Sequence, residues 1–510
     1  LKISDNDSSP SLVSPTEAFA TNDAFFPYRA VPMKYLSFFL PALLLASTLS
    51  SQALRKNPTW NKQTKSQPDA QAGGWFINLG ITGARAKITL EKPKEFEVAF
   101  VFPDTPAHAK ILPGDRITGV NGRSFSEPHK FGYGPKFFGY EGPILELGKA
   151  LDSNSGTITL QFIRGGKPLA TTLELPKKHR SFSKTFPYDC PKTDRILKEA
   201  HTYLLGKQRP DGLWSSRPDA NAFAALTLLG SGQKDHLPAV KKSVKKMAAS
   251  TNDEIDYGGL DCWKYTLYGT TLSEYYLLTR EKWVLPELEE IKSWLLQAQF
   301  VNGGWGHRPK NKPGGNGYGA INCITMQAKL AFALMMRCGL DVPAANFRAT
   351  HDFVAKGTND IGYVWYKDGG RQNPSYADMG RTGITALAHH ISPVGGKEYR
   401  DFARLTASCI GSFPKTFPDT HGSPLLGLAW TGLGALADPK EFRKLMDYNR
   451  WHFALALTPE GNFYYQPNRD NNSQDYSADP RLNATAANAL VLTAKFKVLQ
   501  ITGAKPLVLK

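Results

Sequence analysis

The sequence predicts a multidomain chain: a small β-rich domain, then a large all-α domain whose helices alternate, outer then inner, and close into a barrel of six helix pairs. Three observations predict it. Over residues 73–180 apolar residues alternate in short runs separated by Gly and Asn-Gly turns, the period of half-buried strands. Over residues 190–510 the period becomes helical, and one turn signal recurs, a Gly cluster leading to an aromatic. The helices around these turns are of two kinds, apolar on one side or apolar nearly all round, as expected where one layer meets water and the other is enclosed.

Upstream of both domains, Met33-Lys34, the apolar run Leu36 to Leu45 and the small-residue end Ser51-Gln52-Ala53 have the order of a secretory signal peptide. Residues 1–53 therefore read as an upstream segment and signal peptide, with cleavage after Ala53, and residues 54–72 as a polar linker. The expectation is an exported protein, periplasmic or secreted, with no stable membrane insertion after cleavage, because the run is too short to span a bilayer. Hydrophobic residues make up 41% and charged residues 21%, which fits packed domains and excludes wholesale disorder. Five Cys in so long a chain give no disulfide framework. The formal net charge of +17 suits an acidic polymer. Lysines spread along one helix face, as in Lys241, Lys242, Lys245 and Lys246, with no interleaved aromatics, argue against nucleic acid.

In the first domain, Phe96 to Val101 reads as a strand. Pro113-Gly114-Asp115 makes a tight turn, and Ile117 and Val120 enter the core from the strand that follows. Asn121-Gly122 is a hairpin signal. Ile144 to Leu151 has helical spacing, and Ile158–Ile163 and Leu169–Leu175 alternate around Gly165-Gly166. The run Leu112-Pro113-Gly114-Asp115-Arg116-Ile117-Thr118-Gly119-Val120-Asn121-Gly122 resembles the PDZ family. That resemblance implies a domain that adds a peptide or protein C-terminus as a strand, with Leu79, Gly80 and Ile81 as the carboxylate-capturing loop and Ile144 to Leu151 as the groove helix. The Phe-, Tyr-, Gly- and Pro-rich stretch 123–142 departs from the family as an insertion.

In the second domain the turns are Asp211-Gly212-Leu213-Trp214, Gly258-Gly259-Leu260-Asp261-Cys262-Trp263, Asn302-Gly303-Gly304-Trp305 and Gly362-Tyr363-Val364-Trp365, with looser copies at Thr416 to Gly422 and Glu460 to Phe463. Leu237–Ala248 and Pro286–Gln299 are one-sided and read as outer helices. Ala222–Leu229, Ile321–Met336, Ile384–Ile391, Leu425–Leu436 and Ala484–Leu492 read as inner ones. The pieces Gln208 to Trp214 and Gln299 to Trp305 resemble the Gln…Gly-x-Trp repeats of the terpenoid cyclase and protein prenyltransferase superfamily. This implies an (α/α)6 toroid in which Gln and Trp clamp one helix end to the next start. The superfamily's chemistries do not follow. After residue 53 there is no Asp-Asp or Asp-x-Asp, and Asp261 and Cys262 are neighbours, about 100° apart on a helix, which is wrong for a shared zinc ion. Neither a metal site nor a cofactor is expected. The whole order of parts resembles a group of exported bacterial proteins that join a PDZ-like domain to such a toroid, a resemblance that implies fold and compartment.

Polar groups at the inner-helix starts converge on one end of the barrel, and these are the candidate site: Asp261, Cys262 and Lys264; His307 and Tyr318; Asn322 and Gln327; Asp378 and Arg381; His421; Asn483. As catalytic candidates the sequence offers Asp378, Arg381, His421, His307 and Asp261. Two functions are compatible with it. One is a peptide-binding module whose toroid holds a ligand or scaffolds an assembly. The other is a carbohydrate-active enzyme of polysaccharide lyase type, acting on an acidic polymer, which needs a cation against the carboxylate (Arg381 or Lys264) and a base for the α-proton (His307, His421 or Arg381). Trp214, Trp263, Trp305 and Trp365 read first as packing residues, and secondly as a platform for sugar rings.

Overall fold

The alternating runs of the first domain form one antiparallel sheet in the computed structural model, which describes residues 76–89, 91–129, 141–251, 260–309, 319–369, 378–418, 424–466 and 480–507. The strands are β1 (Phe76–Asn78), β2 (Ala84–Lys87), β3 (Phe96–Val101), β4 (Arg116–Val120), β5 (Arg123–Ser124), β6 (Thr157–Arg164) and β7 (Lys167–Glu174). They run in the order β1-β2-β3-β4-β6-β7, with β5 folded back on β4. Asn121 and Gly122, both at positive φ (52° and 79°), make the β4–β5 turn. Asp115 closes the preceding turn by accepting the Leu112 N–H, and Arg164 holds it from β6 at 2.6 Å. Helix α1 (Pro143–Asp152) buries Ile144, Leu147 and Leu151. The segments expected to be a signal peptide and a linker, residues 1–72, and most of the 123–142 stretch lie outside the described residues.

The helical domain contains α2 (Pro191–Lys207), α3 (Pro218–Gly230), α4 (Leu237–Ala248), α5 (Asp261–Thr279), α6 (Val284–Ala298), α7 (Asn322–Arg337), α8 (Ala344–Lys356), α9 (Gly380–Ile391), α10 (Gly396–Ser412), α11 (Pro424–Gly434), α12 (Pro439–Tyr448), α13 (Arg450–Ala456) and α14 (Pro480–Leu492). The inner ring is α3, α5, α7, α9, α11 and α14. Each packs on the next, and α14 packs back on α3, so the ring is closed. Its helices are buried nearly all round, whereas α4 keeps Lys245 and Lys246 in water and buries only Val240, Ser243, Val244, Met247 and Ala248. The interior is filled where Phe223 on α3 meets Trp430 on α11 edge to face at 5.4 Å, although α14 stands between those helices in the ring. Helices α9 and α11 approach backbone to backbone, since a Cβ on Gly380 would lie 2.5 Å from the Gly427 Cα. No described helix is long and apolar enough to cross a membrane.

The Gln and Trp of the repeated turns act as the resemblance implied. Gln208, just after α2, donates to the carbonyls of Gly212 and of Ala239 on α4, and the Trp214 indole donates to the Leu204 carbonyl. Gln299, just after α6, does the same to Gly303 and to Asn346 on α8, and Trp305 to Leu295. One amide thus ties an outer helix, its turn and the next outer helix together. Asn346 Nδ2 also donates to Gln299 Oε1 at 2.6 Å, so Gln299→Leu is expected to cost about 3 kcal/mol, roughly 1 for each of the three hydrogen bonds lost. An unchanged urea midpoint would show that the clamp carries no stability.

The two domains share one compact unit, Ala53–Lys510, and α13 joins them. It lies on α1, where Gly148 leaves room for Trp451. The Asn78 amide donates to the Leu455 and Ala456 carbonyls, and Gln466 bonds the Asn78 N–H and C=O from the other side. This gives no support to an open peptide groove at Leu79, Gly80 and Ile81. Those residues are buried, and a Cβ on Gly80 would sit 2.8 Å from the Ala454 carbonyl oxygen. Nor does β2 offer a free edge, since β1 pairs along one side and β3 along the other. The physical reason is that the groove-helix face is covered by the chain's own α13.

Candidate active site

Four of the turns are fastened to the inner helix they feed by a side-chain oxygen that takes the N–H of the turn's aromatic or apolar residue. Asn221 Oδ1 accepts from Trp214, Thr325 Oγ1 from Trp305, Thr382 Oγ1 from Val364 and Thr485 Oγ1 from Phe463, all at 2.9–3.1 Å. A buried N–H left unpaired would be costly, so these four bonds fix where each helix begins. The start of α7 also holds the turn before α9. Asn322 donates its backbone N–H to the Tyr366 carbonyl and its amide to the Trp365 carbonyl.

Polar side chains from three such starts then meet. The Trp263 indole on α5 donates to His307 Nδ1 at 3.0 Å, and His307 Nε2 lies 3.2 Å from the Tyr366 hydroxyl. The Arg381 guanidinium on α9 stands 5.8 Å from the Tyr366 ring centre, donates to the Tyr363 hydroxyl at 3.0 Å and pairs with Asp378. Asp261 pairs with Lys264 at 3.4 Å. Trp263, Trp365 and Tyr366 are half-buried, so aromatic faces share this end with the basic Lys264, Arg308 and Lys367.

The electrostatics separate the groups. Burial, followed by the nearby Arg308 and Lys367, lowers the His307 pKa and keeps the imidazole neutral at neutral pH. Burial opposes the Arg381 charge, yet Asp378 and Tyr363 more than restore it, so its pKa stands above the ordinary value. The Cys323 thiol on α7 is pushed up to about 12 by burial and then by Asp378, which makes it a poor nucleophile. Two amide oxygens on α7, Asn322 Oδ1 and Gln327 Oε1, are buried with no hydrogen-bond partner among the described residues. Such orphans mark a place that water or a hydroxyl-bearing ligand would complete.

Of the residues singled out in the sequence, His307, Asp378 and Arg381 are brought together through Tyr366, and Asp261 stands beside Trp263. Asp378 does not cap α9, whose N-cap is Met379. It adopts φ 61° and serves as the partner of Arg381. Cys262 points into the core, as adjacency to Asp261 on a helix requires, and Asn483 is buried. Trp214 and Trp305 are clamps. His421 and Tyr318 lie outside the described residues. Sequence reasoning missed Tyr363 and Tyr366, whose signal was a turn flanked by two tyrosines around Val364-Trp365. No group of three His, Cys, Asp or Glu among the described residues is placed to hold a metal ion.

Residues 193–503 match the family described as "Domain of unknown function (DUF6288)". Comparison with curated proteins finds no match. Among solved structures, the chain is similar to an inactive variant of the α-1,6-mannanase GH76A of Salegentibacter sp. HEL1_6 in complex with α-1,6-mannotriose, at 13% identity and TM-score 0.45, covering 59% of this chain and 98% of that one. It is also similar to a possible GH105 member from Klebsiella pneumoniae, at 14% identity and TM-score 0.43, over 60% and 92% of the two chains. A glycosyl hydrolase family 88 protein from Bacteroides vulgatus aligns at 12% identity and TM-score 0.43, over 60% and 99%. Identities this low say nothing of shared chemistry.

Proposed function

We propose, for a chain that belongs to the DUF6288 family, that the toroid is a carbohydrate-active enzyme that cleaves an acidic polysaccharide by elimination, in an exported protein that meets such polymers outside the cytoplasm. One observation carries the reading: a neutral imidazole, His307, hydrogen-bonded between Trp263 and Tyr366 on a rim that also holds Lys264, Arg308 and Lys367. Elimination from a uronate needs a cation against the carboxylate, which makes the α-proton acidic, and a proton-transfer group beside it. The half-buried faces of Trp263 and Trp365 suit sugar rings. Hydrolysis fits less well. It calls for a pair of carboxylates across the scissile bond, and the two acids of the candidate set, Asp261 and Asp378, are each tied to a basic neighbour.

The test is to incubate the purified protein with uronate polymers of several linkages and with a neutral mannan, and to follow the ultraviolet absorbance of the new C4=C5 bond conjugated to the carboxylate. A rise with a uronate polymer is expected. New reducing ends from the neutral polymer without that absorbance would overturn elimination in favour of hydrolysis.

A second reading is favoured by the filled interior at Phe223 and Trp430. In it a PDZ-like β domain and a closed toroid form a non-catalytic scaffold. It predicts no turnover and no thermal shift with any sugar.

A further inference from the structure

We infer that Tyr366, and not His307, exchanges the proton with the substrate, and that Trp263 and His307 form a positioning pair that holds Tyr366 ready. This rests on the elimination reading above. An indole N–H can only donate, so His307 Nδ1, 3.0 Å from Trp263 Nε1, must present its lone pair. A neutral imidazole carries one proton, and with Nδ1 bare that proton sits on Nε2. The contact of Nε2 with the Tyr366 hydroxyl, 3.2 Å away, therefore runs in one sense: the imidazole donates and the phenol oxygen accepts. The reverse arrangement would leave both ring nitrogens as acceptors, which a neutral imidazole cannot provide.

Two consequences follow. His307 has no vacant lone pair with which to take a substrate proton while both contacts stand, so the base role that the sequence offered it passes to its neighbour. Tyr366 is activated for the same reason. Its oxygen receives an N–H, the Arg381 guanidinium lies 5.8 Å from its ring centre, and Arg308 and Lys367 act on the adjoining imidazole. The donated N–H and the nearby guanidinium stabilise negative charge on that oxygen as its proton leaves. The nearby acid, Asp378, is paired to Arg381, and the Tyr363 hydroxyl takes another Arg381 N–H.

The step balances without any oxidant or reductant. The Tyr366 phenolate oxygen takes the C5 proton of the uronate. The C5–H electron pair forms the C4=C5 bond as the C4–O bond breaks, and the departing oxygen takes the same proton back from Tyr366. The phenolate is regenerated for the next turnover. Tyr366 is then the catalytic residue, and Trp263 and His307 act through it.

The experiment has one readout that needs no activity. In full-length protein labelled with 15N-histidine, the His307 resonances, identified by their loss in His307→Gln, should show the Nε2–H tautomer at neutral pH, and that preference should weaken in Trp263→Phe. An Nδ1–H or doubly protonated His307 overturns the assignment whatever the turnover. In the uronate assay, Tyr366→Phe should lower kcat by about 10²–10⁴-fold, the usual worth of a general acid–base group. His307→Gln, which keeps an N–H donor, should stay within about tenfold of wild type. His307→Ala should lower kcat further than His307→Gln does, because the Tyr366 oxygen loses its donor. Full activity in Tyr366→Phe overturns the inference and leaves elimination standing. Absence of uronate turnover in the wild type overturns the elimination reading and this one with it.

Discussion

Gly383→Ala should destabilise the protein by about 3 kcal/mol or more, at or beyond the upper end of ordinary overpacking. The added Cβ would lie 2.3 Å from the Trp430 carbonyl oxygen and 2.6 Å from the Thr431 Cα, both backbone atoms of α11 with no rotamer to yield. A Cβ on Gly434 would meet Gly383 itself, with its carbonyl oxygen 2.1 Å away, so the two glycines share one close crossing. Alanine gains up to about 1 kcal/mol of helix propensity over glycine, which is too little to offset such a clash. Gly206, on outer helix α2, is the control. No atom lies within 4 Å of a Cβ there and its φ is ordinary, so Gly206→Ala should stabilise by about 0.5–1 kcal/mol. Urea midpoints moving in opposite directions for the two variants would establish the crossing. Equal shifts would refute it.

Acid should be the other severe test of this fold. Burial lowers the pKa of His129 to about 4, of His179 to about 3, of His201 to about 4 and of His452 to about 3. An unfolded imidazole titrates near 6.5, so below that pH the unfolded chain binds more protons than the folded one. Stability is therefore lost as pH falls from about 6.5 toward the folded values. At pH 4.5 each group forfeits up to about 3 kcal/mol, and four of them approach the ~5–15 kcal/mol of a typical domain. Buried carboxyls act in the opposite direction: Glu274, pushed up to about 7 by burial, is held protonated in the folded state over the range from 4.5 to 7, and burial raises the Asp152 pKa, but further buried histidines, His351 and His389 among them, are lowered as well. Urea unfolding at pH 7 and pH 4.5 measures the sum, and equal midpoints would contradict it. His201→Phe keeps the ring, which packs edge-on against His236 at 5.0 Å, and removes one titration, so its benefit should be larger at pH 5 than at pH 7.

What could be read from the sequence depended on how local the cause was. Leu237–Ala248 is recovered at both ends because its stripe of Val240, Val244 and Met247 and its lysine face are set within the helix itself. The Gln208 and Gln299 clamps were legible because each sits at a fixed short distance from its turn Trp. The Thr325, Thr382 and Thr485 bonds to the turns were not, because insertions of different length separate the partners, by 20, 18 and 22 positions. Trp263, His307 and Tyr366 are separated by 44 and 59 positions, and only closure of the ring makes them a triad. Covering of the β-domain face by α13 was equally hidden. Arg450–Ala456 is short and apolar, and nothing local in it points to a partner nearly 400 residues upstream at Asn78.

The packing of α14 on α3 has a consequence for biosynthesis. The ribosome makes the first and last staves of this barrel more than 250 residues apart, as the Thr227 bond to the Ala486 carbonyl records. Until residue 492 has emerged, α3 carries an apolar flank with no mate, and contacts of such long range form late and slowly. A nascent or truncated chain is then an open arc. The cheapest way to complete an open arc is to borrow the missing helix from another copy, so helix exchange between molecules is the characteristic misassembly to expect of this architecture.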